Sequence, residues 1–500
     1  MEFIQYFGEV FTPLNFLILV CGTIGGLLLG ATPGLSPTMA VALLIPFTFH
    51  MEPASSLILL GAVYTSTVAG GAVSGILVNI PGAPANIATV MDGHPMAKQG
   101  RATEALHYCF ISSLVGGLIG VFLLIFFTPP LADLALRFGP AELFWIAIFG
   151  VTIIASIGGG SVIKGLIAGA AGLWLSTIGY NPVLGTERFV FSEHLAGGIH
   201  VIAALIGLFA IPEVLTLVGD AQKSRGDVKY ATWSNHSVWR SMAYNLSRVK
   251  ALTIGSVVGS IIGVIPGAGG QIAGLVAYDQ TKKLSRDPSR FGKGEPDGVI
   301  AAESANNAMV GPSLVPLLTL GIPGSPTAAV LLGGLLINGL FPGPDLFSVH
   351  GKVTWTFIDS LLVGQVMMMV FGLWIARYSV FVTRIPKHTM AAAVIVLAIF
   401  GTYSVQNSVS DVIVMLVLGV LMYFASRIGF SAAPLVLGLI LGQLTETNFL
   451  QGRMIAGDDP WGYFFAGPIN KIIILLCVLS IAYSIYSERK QIRRRREGAA

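Results

Sequence analysis

Five hundred residues would suffice for several soluble domains, but 54% of them are hydrophobic and only 11% are charged, against about 25% charged in ordinary soluble domains. The formal net charge of +4 comes from loops and the tail, so it reports topology rather than a nucleic-acid partner. Composition alone predicts an all-α polytopic membrane protein whose natural surrounding is the lipid bilayer.

Apolar runs of about 18 residues or more, each long enough to cross a bilayer core, recur from end to end. The N-terminus carries Glu2 and no basic segment, so no cleaved signal peptide is expected. The apolar stretch Leu14–Phe49 is interrupted by "GATPG" (Gly30–Gly34). A second stretch contains "YTSTVAGG" (Tyr64–Gly71) and ends in "NIPGAP" (Asn79–Pro84), before a basic loop with Lys98 and Arg101. Spans follow at Phe110–Phe127 and Leu195–Val218, with Lys164 after Gly158–Gly160 marking a helix start between them. The basic segment Asp220–Lys250 leads to Leu252–Thr281, which holds "GVIPG" (Gly263–Gly267). "AAESANNAMVGPS" (Ala301–Ser313) then precedes "GIPGSP" (Gly321–Pro326). Trp355–Ile375 is a span, Thr445, Glu446 and Asn448 are suited to closing a helix near the external face, and Ile472–Ile485 with its flanks is the last span. The tail "RKQIRRRR" reads as a stop and a contact for anionic lipid. The expected total is about 10–12 transmembrane segments.

The 61 glycines suit close helix packing in lipid. Cys21, Cys109 and Cys477 lie in separate apolar segments, which argues for buried packing and against disulfides or a metal cluster.

Two pairs of breaks recur in order: Pro33 and Pro266 are 233 positions apart, Pro81 and Pro323 are 242 apart. By the positive-inside rule the loops with Lys98 and Arg101, Asp220–Lys250, Lys282–Lys293, Arg377–Lys387 and Arg427 are cytoplasmic. Turns around Glu52, Asp133, Glu187–Glu193, Asp345 and Asp458 are then external. Alternation holds if Leu14–Phe49 and Leu252–Thr281 each enter and leave on one side, as re-entrant hairpins or closely paired spans. The loop between the two breaks is external in the first half and basic in the second. That predicts two inverted-topology repeats with Pro-Gly-broken helices, the signature of secondary transporters. The expected division is a first membrane repeat over 1–219, a basic linker over 220–250, a second repeat over 251–447, and a last helix with its tail over 448–500.

Broken backbone at membrane depth is tolerated only where protein or a water-filled cavity satisfies it. Here each break is followed by residues that restart a helix. Ser36-Pro37-Thr38 follows Pro33-Gly34, and Ser325-Pro326-Thr327 follows Pro323-Gly324; serine suits the N-cap and proline the first turn. Pro84 and Asn86 do the same after Asn79, Pro81 and Gly82, and Gly269-Gly270-Gln271 gives a looser start after Pro266-Gly267. Four half-helix N-termini, each with free N–H groups and partial positive charge, form an anion site. Glu303, Asn306 and Asn307 share one helical face at i, i+3 and i+4. An intramembrane acid is costly and points to function, so this face, with Thr65 and Thr67 in the matching stretch, is the expected seat of a coupling Na⁺ or H⁺. The alternative is that Glu303 lies at a solvated helix end beside Asp297.

His94 and His107 lack metal-like partners at helical spacing and read as surface positions; no cofactor or metal is expected. No Walker A sequence is present. An anion channel using the same dipoles is the alternative to a transporter, and an intramembrane enzyme has only the Glu303 face to rest on.

The segments "GATPGLSPTMAVALLIPFTF", "NIPGAPANIATVMDGHPMAKQGRA", "GVIPGAGGQIAGLVAYDQTKK" and "FGKGEPDGVIAAESANNAMVGPSLVPLLTLGIPGSPTAAVLLGGLLINGLFPGPDLF" resemble the large membrane subunit, TctA-type, of tripartite tricarboxylate transporters. The resemblance runs from about Phe16 to Asn448. It implies a bacterial inner-membrane permease fed by a periplasmic substrate-binding protein and completed by a small membrane subunit. It further implies uptake of carboxylates driven by an ion gradient.

Overall fold

The computed structural model describes residues 5–157, 161–181, 183–221, 236–267, 269–377 and 386–497. The first half consists of α1 (Pro13–Ala31), α2 (Pro37–Thr48), α3 (Pro53–Val78), α4 (Ile87–Lys98), α5 (Ala102–Ala135), α6 (Pro140–Ile157), α7 (Val162–Ser176) and α8 (Val201–Ala221). A two-residue hairpin, β1 (Gly179–Tyr180) against β2 (Glu187–Arg188), lies between α7 and α8. The second half consists of α9 (Val238–Ser247), α10 (Val249–Val264), α11 (Gly269–Lys283), α12 (Pro296–Ala308), α13 (Val310–Leu320), α14 (Pro326–Ile337), α15 (Asp345–Ser348), α16 (Gly351–Ala376), α17 (Lys387–Gln406), α18 (Val409–Arg427) and α19 (Ala432–Ala456). The helices α20 (Pro460–Phe465) and α21 (Pro468–Glu497) follow.

Proline punctuates this order. The helices α1, α2, α3, α6, α12, α14, α20 and α21 all begin on one, where the fixed φ suits a first turn and the missing N–H is not needed. At the other ends, Asn79 after α3 and Gly321 after α13 take left-handed conformations that stop the helix.

Nine helices among the described residues are long and apolar enough to cross a membrane: α1, α3, α5, α8, α16, α17, α18, α19 and α21. The pair α9–α10, bent by 73°, makes a tenth, so the count sits at the lower edge of the 10–12 expected. By contrast α2 and α14 have 12 residues each, roughly 18 Å of helix against a hydrocarbon core of about 30 Å. They are half-helices. Of the linker expected over 220–250, residues 222–235 lie outside the described residues. The helix α9 is amphipathic, with Trp239 and Leu246 exposed, while Asn245 is buried and donates to the Tyr108 carbonyl at 3.1 Å.

The expected repeat would pair α1–α5 with α10, α11, α12–α13, α14 and α16. The packing follows the same pairing. The helix α5 packs on α12 as α16 packs on α3, and α7 packs on α19 as α18 packs on α8. The seam is a glycine stripe that occurs twice, Gly22, Gly26 and Gly30 on α1 and Gly255, Gly259 and Gly263 on α10. A Cβ on Gly26 would lie 3.0 Å from Val63 Cα on α3, and one on Gly259 would lie 2.8 Å from Ala305 Cα on α12. Small residues at i, i+4 and i+8 let backbones approach where lipid supplies no hydrophobic drive.

Two local expectations are corrected. Thr445, Glu446 and Asn448 do not close a helix. They lie inside α19, which continues to Ala456 through residue 447, and Glu446 pairs with Arg188 and Asn181 of the β hairpin. His107 is not a surface residue: it is buried, with its ring bonded to Ser241 Oγ at 3.1 Å. Of the cysteines, Cys109 and Cys477 are buried and Cys21 is exposed.

Candidate functional site

All four breaks meet. In the first half the Gly82 N–H donates to the Gly71 carbonyl of α3 at 3.0 Å, and a Cβ on Gly82 would lie 2.6 Å from Gly30 O. In the second half the Gly324 N–H donates to the Ser313 carbonyl at 3.1 Å, and a Cβ on Gly324 would strike Gly263 O. These two bonds join residues at the same 242-residue offset. The halves then join each other. Thr38 Oγ1 and Thr327 Oγ1, at the starts of α2 and α14, are 2.9 Å apart. At the starts of α4 and α11, a Cβ on Gly270 would lie 3.0 Å from Ala85 Cβ. The Gly267 N–H closes the ring by donating to the Gly324 carbonyl at 3.1 Å.

The two pairs leave the ring in opposite directions. At its start α14 meets the middle of α3, where Tyr64 OH bonds Ser325 Oγ at 2.7 Å; at its end Asn338 donates to Ser56 Oγ at 2.9 Å. So α14 runs against α3. The helix α2 does likewise, beginning beside α14 and ending four residues before α3 starts. In contrast α4 runs with α3, Asn86 bonding the Val68 carbonyl at 3.1 Å and His94 the Ile76 carbonyl at 3.0 Å. The helix α11 follows α4, with Tyr278 OH donating to Asp92 Oδ2 at 2.8 Å.

The serine caps are where the sequence places them. Ser36 Oγ accepts the Met39 N–H at 3.3 Å and Ser325 Oγ accepts the Ala328 N–H at 3.1 Å. The pair α4/α11 has no such cap. Asn86 stands at the N-cap of α4 but makes no capping bond; its amide is committed to Val68 and, at 3.4 Å, to Glu303 Oε1. Three expected site residues lie away from the centre or have no capacity left. Gln271 and Asn79 are exposed, and the Thr65 hydroxyl is satisfied by the Gly61 and Ala62 carbonyls at 3.0 and 3.1 Å. Pro33, Gly34, Pro81 and Pro266 are partly buried, whereas Pro323 is buried. Ala268, inside the third break, is outside the described residues.

Glu303 is not at a solvated helix end. It is 0% exposed. Its Oε1 accepts from Thr89 and its Oε2 from Ser113 at 3.1 Å; Ser113 in turn accepts from the Asn307 amide at 2.8 Å. One carboxylate therefore ties α12 to α4 and α5. Near it Asn86 Oδ1, Asn307 Oδ1 and both amide atoms of Asn306 are buried without a partner, as is Thr67 Oγ1 on α3, and Asn306 Oδ1 faces Gly270 at the start of α11. Unpaired polar atoms are expensive in a dry interior, so a group of oxygens beside a carboxylate is chemically suited to a small cation or a proton.

Sequence reading missed several partners. Thr89, Ser113 and Tyr64 left no signal because hydroxyls are common in apolar helices. Glu213 of α8 was a legible signal, an acid inside an apolar run: its Oε1 accepts from Ser36 Oγ at 2.7 Å, setting a carboxylate beside the start of α2. Asp92, buried in α4, accepts the N–H groups of Gly292, Gly294 and Glu295 at 2.8, 2.8 and 2.9 Å, which fixes the loop after α11. At that end burial raises the Glu295 and Asp297 carboxyls above their ordinary values, against the pull of Arg290 and Arg248. Two cavities open elsewhere in the molecule. One of about 530 Å³ opens between α5 and α15–α16, beside Trp355. Another of about 300 Å³ ends at Thr319–Gly321, just before the last break.

A multi-pass, all-helical membrane protein with paired helix breaks is the class these features define. The chain belongs to the tripartite tricarboxylate transporter TctA family, whose description matches residues 16–437. It is 34% identical over 492 residues, 97% of each chain, to "Uncharacterized 52.8 kDa protein in TAR-I ttuC' 3'region" of Agrobacterium vitis. It is also 36% identical over 238 residues to "Uncharacterized protein in TAR-II ttuC' 3'region" of the same organism, covering 47% of this chain and 98% of that one. The family is one of transporters rather than enzymes, and its systems are tripartite.

Proposed function

We propose that the chain is the large permease subunit of a binding-protein-dependent system of a bacterial inner membrane, and that it takes up organic carboxylates by coupling to a Na⁺ or H⁺ gradient. A periplasmic substrate-binding protein would deliver the acid and a small membrane subunit would complete the complex. The observation that carries this reading is the convergence of four half-helix N-termini in one ring next to the wholly buried Glu303. Each terminus contributes about 0.3–1 kcal/mol toward holding an anion, up to about 2 when partly buried. A di- or tricarboxylate touching two or more gains a useful fraction of the modest affinity a carrier needs.

The opposite directions of α2/α14 and α4/α11 support an inverted repeat over 1–219 and 251–447, because α2 answers to α11 and α4 to α14. Two halves that rock about one ring give alternating access. The deciding experiment is uptake of radiolabelled citrate and succinate into proteoliposomes holding all three components, with and without Na⁺ and pH gradients. Accumulation above the external concentration, abolished by collapsing the gradient, is expected. Strictly downhill flux would mean that the same dipoles line an anion channel.

A further inference from the structure

Asp359 belongs to neither the ring nor the Glu303 cluster. It lies on α16, is 0% exposed, and neither carboxylate oxygen has a hydrogen-bond partner. Thr356, one turn earlier, and Gln365 are buried as well, and the Thr356 hydroxyl and both Gln365 amide atoms are unpartnered. The helix that carries it is closely packed: Phe357 and Leu361 face Gly61 of α3, Gly364 faces Leu19 of α1, and Gln365 faces Gly117 of α5.

The titratable groups on these packed elements are all engaged or far along the helix. Tyr64 of α3 bonds Ser325, and Glu9 of the N-terminal turn pairs with Lys352 at 2.8 Å. On α5, Glu104, His107, Tyr108 and Cys109 lie near Phe110, which meets Gly372 more than three turns from Asp359. Asp133 of α5 lies at the cavity, as does Asp345 of α15 at a neighbouring one, and Cys21 of α1 is exposed. None bonds Asp359. An isolated ionised carboxylate among such neighbours is prohibitively costly, and a proton removes that cost.

A cavity begins one helical turn away. Trp355, one turn before Asp359, lines the cavity of about 530 Å³ together with Pro129, Asp133 and Phe347. The contacts Phe110–Gly372 and Gly117–Gln365 set α5 and α16 antiparallel. Asp359 therefore lies beyond Gly117 toward the cavity, while Glu303 is held at Ser113, one turn before Gly117 and farther from the cavity along α5. We propose that Asp359 is a proton-binding site of the transport cycle, loaded from the α5–α16 cavity and separate from the Glu303 cluster. The proposal rests on the transport reading only in requiring a cycle.

The test has one arm that needs no substrate. In infrared spectra of the purified wild-type protein, a protonated and unbonded carboxyl should give a C=O band that disappears once the pH is raised far enough to ionise it. Asp359→Asn should remove that band. If that variant does not fold, Asp359→Glu, with the carboxyl kept but moved by one methylene, should shift the band instead of removing it, and aspartate labelled with ¹³C in the wild-type protein separates it from any Glu303 band. A band that is absent at every pH, that never titrates, or that survives in Asp359→Asn overturns the proposal. In the second arm, Asp359→Asn proteoliposomes should lose accumulation driven by a pH gradient and retain carboxylate exchange. Accumulation equal to wild type overturns the proposal; failure of the wild type to accumulate counts against the transport reading and leaves the infrared answer intact.

Discussion

Adding one methyl group at Gly324 tests whether the breaks are contact points or mere kinks. The Cβ of Gly324→Ala would lie 2.7 Å from Ser313 Cα and 2.8 Å from Ser313 Cβ, and would strike the Gly263 carbonyl oxygen. These are backbone atoms of two helices and a Cβ fixed to one, so no flexible side chain can give way. Overpacking of this kind costs typically about 1–3 kcal/mol, and the upper end applies where main chain must move. The ring relieves the strain by parting the Gly267 N–H from the Gly324 carbonyl. At about 1.4 kcal/mol per tenfold, the closed ring loses roughly one to two decades of population. Gly82→Ala repeats the experiment in the other half, with Gly30 O at 2.6 Å and Gly71 Cα at 2.8 Å. Gly25→Ala, with nothing within 4 Å, is the control. We expect both ring variants to insert and elute as folded protein, to melt earlier than the control, and to lose most uptake per inserted molecule. If Gly324→Ala and Gly82→Ala melt and transport like Gly25→Ala, the ring is packing without function.

Ser325→Ala removes both the cap on Ala328 and the partner of Tyr64; a loss of about 1 kcal/mol in stability with weakened uptake is expected, measured by denaturant unfolding and transport. Ser36→Ala frees Glu213 as well as Met39, so its effect on uptake should exceed that of Ser325→Ala; equal effects would leave Glu213 without a role. Reporter tags beside Glu52 and Lys293 should label from opposite sides of the membrane, and labelling from one side removes the inverted repeat. Glu303→Gln should insert normally, since its amide oxygen can accept from Thr89 and its NH2 can donate to the Ser113 hydroxyl, but should bind carboxylate without regard to the ion and fail to accumulate it.

Much of this architecture is legible in the sequence because proline and glycine act locally. A Ser-Pro after a Pro-Gly break fixes a cap and a first turn wherever the chain goes, and Ser36 and Ser325 did so. The proposed repeat rests on the spacing of four breaks, and the glycine stripes at Gly22 and Gly255 carry the same 233-residue offset. Which residues share a site was harder to read. Glu303 looked compatible with a solvated helix end because Asp297 is near in sequence, yet six residues of helix carry it into a pocket closed by α4 and α5. Asn86 looked like a cap, but with its Nδ2 held by the Val68 carbonyl and Glu303, its Oδ1 lies against Gly71 and makes no capping bond. Asp359 and Glu213 sit alone in apolar runs, where the sequence gives an acid and no hint of its neighbours.

The two halves share their geometry but not their chemistry, and the difference bears on coupling. At the 242-residue offset Glu303 answers to Gly61, Asn306 to Tyr64 and Asn307 to Thr65. Gly61 admits Phe357 and Leu361, and Tyr64 faces the start of α14 as Asn306 faces the start of α11. The serine caps fall on α2 and α14, where each already occupies one N–H. The starts of α4 and α11 have no such cap, so their donors are the freer pair for a substrate carboxylate. Yet Glu303 lies within 3.4 Å of Asn86 at that very start. Two negative charges about 4 Å apart repel by roughly 4 kcal/mol at an effective dielectric of about 20. In the proposed cycle a substrate carboxylate at this distance would therefore occupy the pair readily only after a cation or a proton had neutralised Glu303. Ion first and acid second is the order that this placement of one carboxylate imposes on the proposed cycle.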